Sequence, residues 1–489
     1  MKKAILLLII LATSQIAFSQ SSAIAKFKFE EAEQAYVNED YKAALTKLEE
    51  SEKLFGKVNP PILYLRIMAQ NNLLGTNPHD DPALLLALHN NCKFYLKEYA
   101  NLNEVEDKYR EVYQVSDYIK IYSDSPDFFK ARSLYYGTED TPQDLPKAFE
   151  LCTKLIKNGD DHAMNLMGVM HLDGKSVEKD NKKAMEWYQK AADKGNVFAL
   201  TNLARQYSLG KIVDEDNNKA LKLYQQAGNK GFPNALYVVG GIYYYGEGVS
   251  VNYDQAFSWY QKAAAKKNAS AMSKLGYMYL TGKGVSENEI TALDWTQKAA
   301  NLGNNYGMYL LGSFYRNGWG LTKNPKEALN WYLKAANNGY HSSIPEIADM
   351  YNKGEGTERN YKEAYKWYLM AAEDGDSDAM WEIGSLYYRG QISNSMDAET
   401  TNNTQNNSTE QIGIVLGGIF KGDSHYILTA GKPNYTEAMN WYLKAYEKNN
   451  VNAMKTIANM YLEGLGVKKD KKLAKEWNNK ALIAESQKK

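Results

Sequence analysis

The sequence predicts an all-α protein: a right-handed α-solenoid of antiparallel helix pairs, preceded by an N-terminal helical domain. Three observations lead to this prediction. Most of the chain repeats with a period of 36 residues, and the apolar positions within each repeat recur at the spacing of a helix face. Only 11 of the 489 residues are proline, which favours continuous ordered structure over long linkers.

The first 19 residues predict a signal peptide. Lys2 and Lys3 form a positive start, residues 4–12 are apolar, and Ala17 and Ser19 supply the two small residues that a signal peptidase recognises. A membrane anchor or a buried first helix is the alternative, but this apolar stretch is far shorter than the ~20 residues that span a bilayer. We therefore expect an exported protein, periplasmic or extracellular, with no transmembrane span in the mature chain.

Two helical segments precede the regular repeats. Residues 23–123 show helical spacing without the 36-residue period, and roughly a hundred residues are enough to bury a core of their own. Residues 127–160 predict a degenerate repeat that caps the array, because Ala148 lies 36 residues before Ala184.

Residues 161–486 predict eight repeats of two helices each. The first helix of every repeat has a small residue at a fixed place, which we call the opening residue, and a second small residue follows five places later. A Gly-x-Gly-Val segment such as Gly282 to Val285 then breaks the helix, because glycine accepts the positive φ of a helix C-terminus. The opening residues are Ala163, Ala199, Ala235, Ala271, Gly307, Ser343, Ala379 and Ala453.

The second helix of each repeat carries a wide apolar stripe, as in Ala256, Trp259, Tyr260 and Ala263. A pair of helices cannot bury such a stripe alone, so successive repeats must stack on one another. The Trp-Tyr pair and a further tyrosine near the end of the first helix recur in most repeats. These two columns explain much of the count of 38 tyrosines.

The seventh repeat contains an insertion at residues 392–430. Residues 400–409 are poor in apolar side chains and are predicted to be disordered. Residues 412–422 place apolar runs on either side of a Gly-Gly pair, which predicts a β-hairpin. Two interpretations remain open: a docking or membrane-dipping loop, and a loop that folds back over its own solenoid.

The repeat pattern, A-x3-L-[GA]-x2-Y-x2-G-x-G-V-x6-A-x2-WY-x2-AA-x2-G, resembles the Sel1-like repeat, a relative of the tetratricopeptide repeat. The resemblance extends from Asp161 to the end of the chain, and residues 29–48 resemble one tetratricopeptide hairpin. It implies a helical superhelix that serves as an adaptor or scaffold for protein complexes, as several family members do in secretory or cell-envelope pathways.

The sequence shows no pattern of catalytic, cofactor-binding or metal-binding residues. The six histidines lack His-x3-His spacing, and the chain has no Cys-x2-Cys. Ser176 and Lys179 match the Ser-x-x-Lys of penicillin-recognising enzymes, and some exported relatives have been linked to β-lactams. However, the partner motifs are missing, so a β-lactam-hydrolysing enzyme is disfavoured. Cys92 and Cys152 are expected to be buried small hydrophobes, although a bridge between them stays open.

Charge excludes a further class of partner. The 58 basic and 58 acidic side chains balance, so the chain lacks the positive surface that nucleic-acid binding requires. We therefore expect no nucleic-acid partner.

A partner-binding face is predicted on the first helices. The positions two and six places after the opening residue change from repeat to repeat and lie on one helical stripe. Solenoids usually bind on such a face. The residues selected as partner-binding are Arg205, Tyr237, Tyr277, Tyr309, Asp349 and Trp381.

The aromatic members of this set favour an extended peptide or a glycan strand as ligand. The alternative is that these rings only pack between adjacent repeats. Two functions follow: an exported scaffold that binds a protein or peptide, which is favoured, and a protein that binds cell-wall glycan or peptidoglycan.

Overall fold

A computed structural model describes residues 23–38, 40–56, 59–74, 81–100, 106–120, 122, 125–137, 141–395, 427–429 and 431–487. Three predictions lie outside the described residues: the signal peptide at 1–19, the disordered stretch at 400–409 and the hairpin at 412–422.

The described residues are almost entirely helical, which confirms the predicted all-α class. The N-terminal helices are α1 (23–37), α2 (Tyr41–Phe55), α3 (Pro60–Leu73), α4 (Pro82–Glu98) and α5 (Glu106–Lys120). A further pair, α6 (Pro126–Tyr136) and α7 (Leu145–Lys157), stands where the degenerate repeat is predicted.

Helix pairs then follow one another through the array, as predicted for a solenoid. They are α8 (Asp161–Asp173) and α9 (Asn181–Asp193) in repeat 1, α10 (Val197–Leu209) and α11 (Asn217–Asn229) in repeat 2, α12 (Pro233–Tyr245) and α13 (Tyr253–Ala265) in repeat 3, and α14 (Ala269–Thr281) and α15 (Glu289–Asn301) in repeat 4. The later pairs are α16 (Asn305–Asn317) and α17 (Pro325–Asn337) in repeat 5, α18 (Ile344–Lys353) and α19 (Tyr361–Glu373) in repeat 6, α20 (Ser377–Tyr388) and α21 (Tyr435–Glu447) in repeat 7, and α22 (Val451–Glu463) and α23 (Lys471–Gln487) in repeat 8.

Asparagine and aspartate side chains cap the N-termini of most helices of the array. In repeat 1 the Asp180 carboxylate accepts the backbone N–H of Lys183 at 2.9 Å, which satisfies one of the free donors at the N-terminus of α9. The same position caps the later second helices with Asp216, Asn252, Asn288, Asn324, Asn360 and Asn434.

Glycine ends the first helices, as the Gly-x-Gly-Val segment predicts. Gly282 and Gly284 both have positive φ, at 66° and 68°. A Cβ on Gly284 would lie 2.3 Å from the Tyr253 carbonyl oxygen, so only glycine fits this turn.

In repeats 1, 3, 5 and 7 the glycine five places after the opening residue receives a tyrosine ring from the second helix of its own repeat. A Cβ on Gly312 would lie 2.7 Å from the ring of Tyr332, and one on Gly240 would lie 2.6 Å from the ring of Tyr260. This close approach fixes how the two helices of a repeat pack and brings the phenol oxygen near the first helix.

A short strand pair closes the base of the insertion. Strand β1 (Ser393–Ser395) pairs antiparallel with β2 (Ile427–Thr429), with Asn394 opposite Leu428. The chain therefore leaves and re-enters repeat 7 at neighbouring positions. Within the described residues, no helix has the length and apolar character that a membrane crossing requires.

The chain divides into two compact bodies. The first consists of Met1–Lys274 with Lys283–Ser286, and the second of Leu275–Gly282 with Glu287–Lys489. In the first body, one continuous cluster of buried side chains joins the N-terminal helices to repeats 1–3: Leu88, Ile119 and Tyr122 belong to the same cluster as Leu203 and Phe232.

Candidate partner-binding surface

One stripe of each first helix collects the residues that vary between repeats. The positions one place before and two, three and six places after the opening residue fall within about 100° of one another around the helix. We call this stripe the first-helix face. In repeat 5 it carries Tyr306, Tyr309 and Ser313, where the rings of Tyr306 and Tyr309 stack with centroids 6.3 Å apart.

In repeats 5 and 7, a serine six places after the opening residue hydrogen-bonds the hydroxyl of the second-helix tyrosine. Ser313 Oγ lies 3.0 Å from Tyr332 Oη, and in repeat 7 Ser385 Oγ lies 3.3 Å from Tyr442 Oη. Burial raises the pKa of Tyr332 to about 12, so this phenol stays protonated and able to donate. These serines therefore lie on the first-helix face and also hydrogen-bond a buried phenol of the fold.

Repeat 3 departs from this arrangement because it has glycine at the same place. A Cβ on Gly241 would lie 3.8 Å from Tyr260 Oη, with no other atom within 4 Å. Tyr260 is fully buried, at 0% exposed, and its hydroxyl has no hydrogen-bond partner among the described residues. Burial accordingly raises the pKa of Tyr260 strongly.

The predicted aromatic residues lie half-buried on the first-helix face. Tyr237 packs on Tyr260 with ring centroids 5.7 Å apart, and Tyr309 packs on Tyr332 at 5.6 Å. Tyr277 packs against the apolar cluster of repeats 4 and 5. Each ring therefore contributes to the packing of its own repeat while part of its surface stays accessible.

The remaining predicted residues differ in their surroundings. Arg205 of repeat 2 is exposed. Asp349 of repeat 6 and Trp381 of repeat 7 line the same cleft, which has a volume of about 280 Å³. The structure therefore brings together two of the six predicted residues around one cavity.

This cleft, which we call the acidic cleft, is built from the first helices of repeats 6 and 7. The Trp381 indole N–H donates to Thr456 Oγ1 at 3.1 Å, which fixes the ring at one wall. The hydroxyl of Tyr368, in the second helix of repeat 6, donates to the Asp349 carboxylate at 2.6 Å. The charged and aromatic residues that line the cleft are Glu346, Asp349, Tyr368, Asp378, Trp381 and Glu382.

Negative charge dominates the cleft, because none of its lining residues is basic. Nearby cations balance part of this charge: Arg316 pairs with Glu346 and with Glu355, and Lys353 pairs with Asp349. Glu382 shows that these cations leave an excess of negative charge in the cleft. Burial and the charge of Asp349 raise the pKa of the Glu382 carboxyl, since both disfavour a further anion there.

The sequence prediction includes two of the six charged and aromatic residues that line this cleft, Asp349 and Trp381. Glu346 and Glu382 stand three places after the opening residues of their repeats, whereas the predicted face uses only places two and six. Helical geometry puts all three places on one face, so the spacing alone was sufficient to find these two carboxylates.

Within the described residues, no cluster of three or more His, Cys, Asp or Glu side chains could hold a metal ion. Ser176 and Lys179 both lie in the connection between α8 and α9, so they do not share a helical turn. Cys92 and Cys152 are both buried and unbridged, which confirms their prediction as small hydrophobes.

The fold and this face together define a helical-repeat protein, of a class whose members generally act as protein-interaction scaffolds and are typically non-catalytic. A Sel1 repeat family model matches ten segments of the chain, so the chain belongs to the Sel1 repeat family. The matched segments are 131–160, 161–196, 197–232, 233–268, 269–304, 305–340, 346–376, 377–397, 422–450 and 452–482.

Two crystal structures are similar to this chain. One is c5321, a protective antigen of uropathogenic Escherichia coli strains with an SLR fold; it is 24% identical, with a TM-score of 0.56, over 87% of this chain and 79% of that one. The other is a Sel1 repeat protein from Oxalobacter formigenes, 26% identical with a TM-score of 0.46, over 51% of this chain and 97% of that one. No curated protein matches the chain.

Proposed function

We propose that this protein is an exported, non-enzymatic scaffold that binds a partner protein through the first-helix face. The signal peptide predicted at residues 1–19 supports export. The acidic cleft is the observation that supports protein binding best, because it lies on the predicted face and combines carboxylates with an aromatic wall.

The cleft favours a basic, extended segment of the partner. A lysine or arginine side chain that enters it would meet the carboxylates of Asp378 and Glu382, while its methylene stem would lie along Trp381. A bound cation would also relieve the repulsion between Glu382 and Asp349. Trp381 and the carboxylates would therefore both contact the same cationic side chain of the partner.

Charge-neutral variants test this proposal without removing side-chain volume. The double variant Asp378→Asn/Glu382→Gln removes two charges from the cleft. Glu358→Gln/Glu373→Gln removes two charges from exposed acids outside it and serves as the matched control. We expect the parent and the control to retain a basic protein from a cell-envelope extract of the host, and the cleft variant to lose it.

Isolated cell wall is the second arm of this experiment. The scaffold proposal predicts that the captured protein elutes as salt rises above ~0.15 M and that cell wall retains little of the parent. Retention of all three proteins on cell wall, with no protein captured, would favour the glycan-binding alternative and contradict the scaffold proposal.

A further inference from the structure

Polar side chains join several neighbouring repeats. In repeats 4 and 8 the residue that caps the first helix contacts the first-helix face of the preceding repeat, at the place just before its opening residue. In repeat 4 the Asn268 amide donates to Asn234 at 3.0 Å, and in repeat 8 the Asn450 amide donates to Asp378 at 2.7 Å.

Two junctions carry an aromatic pair instead. Phe198 and Phe232 pack with centroids 5.1 Å apart, and Tyr306 and Tyr340 pack at 6.1 Å. The two pairs occupy the same two places of the repeat, three repeats apart.

The aromatic residues replace helix caps. Phe232 and Tyr340 stand where other repeats have Asp or Asn, and neither makes a side-chain cap hydrogen bond. In repeat 5, by contrast, Asn304 accepts the backbone N–H of Gly307 at 2.7 Å. Loss of a cap destabilises a helix, so we expect an aromatic residue at this place to stabilise the protein through another contact.

In the first pair, this contact is made with a third aromatic ring. Tyr122, just beyond the end of α5, places its ring 5.9 Å from Phe198 and 6.1 Å from Phe232. Tyr122 is 2% exposed and Phe232 is 5% exposed. Phe198 and Phe232 therefore form a binding site, which we call a seat, for Tyr122. This aromatic side chain lies just beyond the end of a helix of the N-terminal domain.

The second pair forms a comparable patch with one extra ring. Tyr309 packs on Tyr340 with centroids 5.3 Å apart, and all three tyrosines keep part of their surface accessible. Tyrosine suits a surface that water wets in one state and a partner covers in another, because its body is apolar and its tip is polar. Phenylalanine, as in the first pair, suits a contact that stays buried.

We infer that Tyr306, Tyr309 and Tyr340 form a docking seat for a partner helix that ends in a tyrosine or phenylalanine. The seat is the register equivalent of the one that holds Tyr122 within this chain. This inference rests on the proposed protein-binding function but uses a different patch from the acidic cleft, so the two can fail separately.

A variant that takes its residues from the same places of neighbouring repeats tests the seat while preserving the fold. Tyr306→Ser/Tyr340→Asn introduces the residue types that stand 36 places earlier in the sequence, at Ser270 and Asn304, and Asn at 340 restores a cap. Tyr361→Ser, which removes a half-buried tyrosine from a second helix, is the matched control. Thermal melting checks that both variants stay folded.

The probe is a fluorescein-labelled peptide of residues 106–125, which carries the α5 sequence and Tyr122, titrated with the full chain and followed by anisotropy. We expect Tyr306→Ser/Tyr340→Asn to weaken binding roughly tenfold or more, and Tyr361→Ser to change it by less than about twofold. A peptide with Tyr122→Ser should lose affinity to the same extent.

Equal binding of the peptide by the parent and the seat variant overturns the inference, as does undetectable binding by the parent. Sedimentation of the full chain tests the other occupant: a dimer that Tyr306→Ser/Tyr340→Asn abolishes would make a second copy the occupant, and would also overturn it. The variant Asp378→Asn/Glu382→Gln should bind the peptide like the parent, so failure of the cleft proposal leaves this result unchanged.

Discussion

The unsatisfied phenol of Tyr260 gives the sharpest prediction about stability. Repeats 5 and 7 satisfy the equivalent hydroxyls with Ser313 and Ser385, whereas repeat 3 has Gly241. The substitution Gly241→Ser therefore supplies the missing partner. Its Cβ meets only Tyr260 Oη, at 3.8 Å, so the serine fits without displacing a neighbour.

The expected gain follows from two effects. Pairing a buried hydroxyl that lacks a partner recovers about 1–3 kcal/mol, because the group no longer bears its desolvation cost alone. Replacing a glycine inside a helix by serine adds about 0.5 kcal/mol of helix propensity, and by alanine about 1 kcal/mol. Gly241→Ser should therefore stabilise repeat 3 by about 1.5–3.5 kcal/mol, and Gly241→Ala by only about 1 kcal/mol.

Hydrogen exchange is the appropriate assay because repeat arrays unfold locally, so a single melting temperature averages over many repeats. The amides of α12 and α13 should exchange more slowly in Gly241→Ser than in Gly241→Ala, and more slowly in both than in the parent. The comparison between serine and alanine isolates the hydrogen bond from helix propensity. Equal protection in the two variants would refute the reasoning.

Three further predictions follow from the same packing. Gly312→Ala should destabilise repeat 5 by about 1–2 kcal/mol, measured by urea unfolding, because the overpacking cost of about 2–3 kcal/mol, from a Cβ that would lie 2.7 Å from the Tyr332 ring, exceeds the helix propensity of about 1 kcal/mol that alanine adds; unchanged unfolding would contradict the packing described here. Asn360→Ala should cost about 1 kcal/mol in the same assay, because Asn360 accepts the N–H groups of both Lys362 and Glu363; an exposed Lys362→Ala variant is the control. Glu382→Gln should raise the melting temperature at pH 7 by roughly 1 °C, and this gain should vanish at acidic pH. The sign follows because burial raises the pKa of this carboxyl in the folded chain, so the ionised form is destabilising above that pKa and the protonated form below it is not; a lower melting temperature at pH 7 would contradict this.

The sequence alone was sufficient for the repeat architecture. A fixed period with a tyrosine, two small residues and a glycine turn in register leaves few other ways to bury the apolar stripes. It also located Asp349 and Trp381 on one face, since helical spacing is a local property. The structure places these two residues in the same cleft.

Contacts between distant segments were beyond sequence reasoning. The packing of Tyr122 on Phe198 and Phe232 joins parts of the chain that share no pattern, so no periodicity predicts it. The aromatic replacement of two helix caps was visible in the sequence, at Phe232 and Tyr340. The sequence does not tell which aromatic rings pack on Phe232 and Tyr340, and their role depends on those contacts.

The central claim, that a partner protein binds in the acidic cleft on the first-helix face, is tested most directly by photocrosslinking in the native host. Benzoylphenylalanine placed at Trp381 probes the cleft, and the same residue at Trp441, a half-buried tryptophan of a second helix, is the control. We predict one discrete protein adduct from position 381 that is absent from position 441. Adducts of equal yield from both positions, or none from position 381, would contradict it.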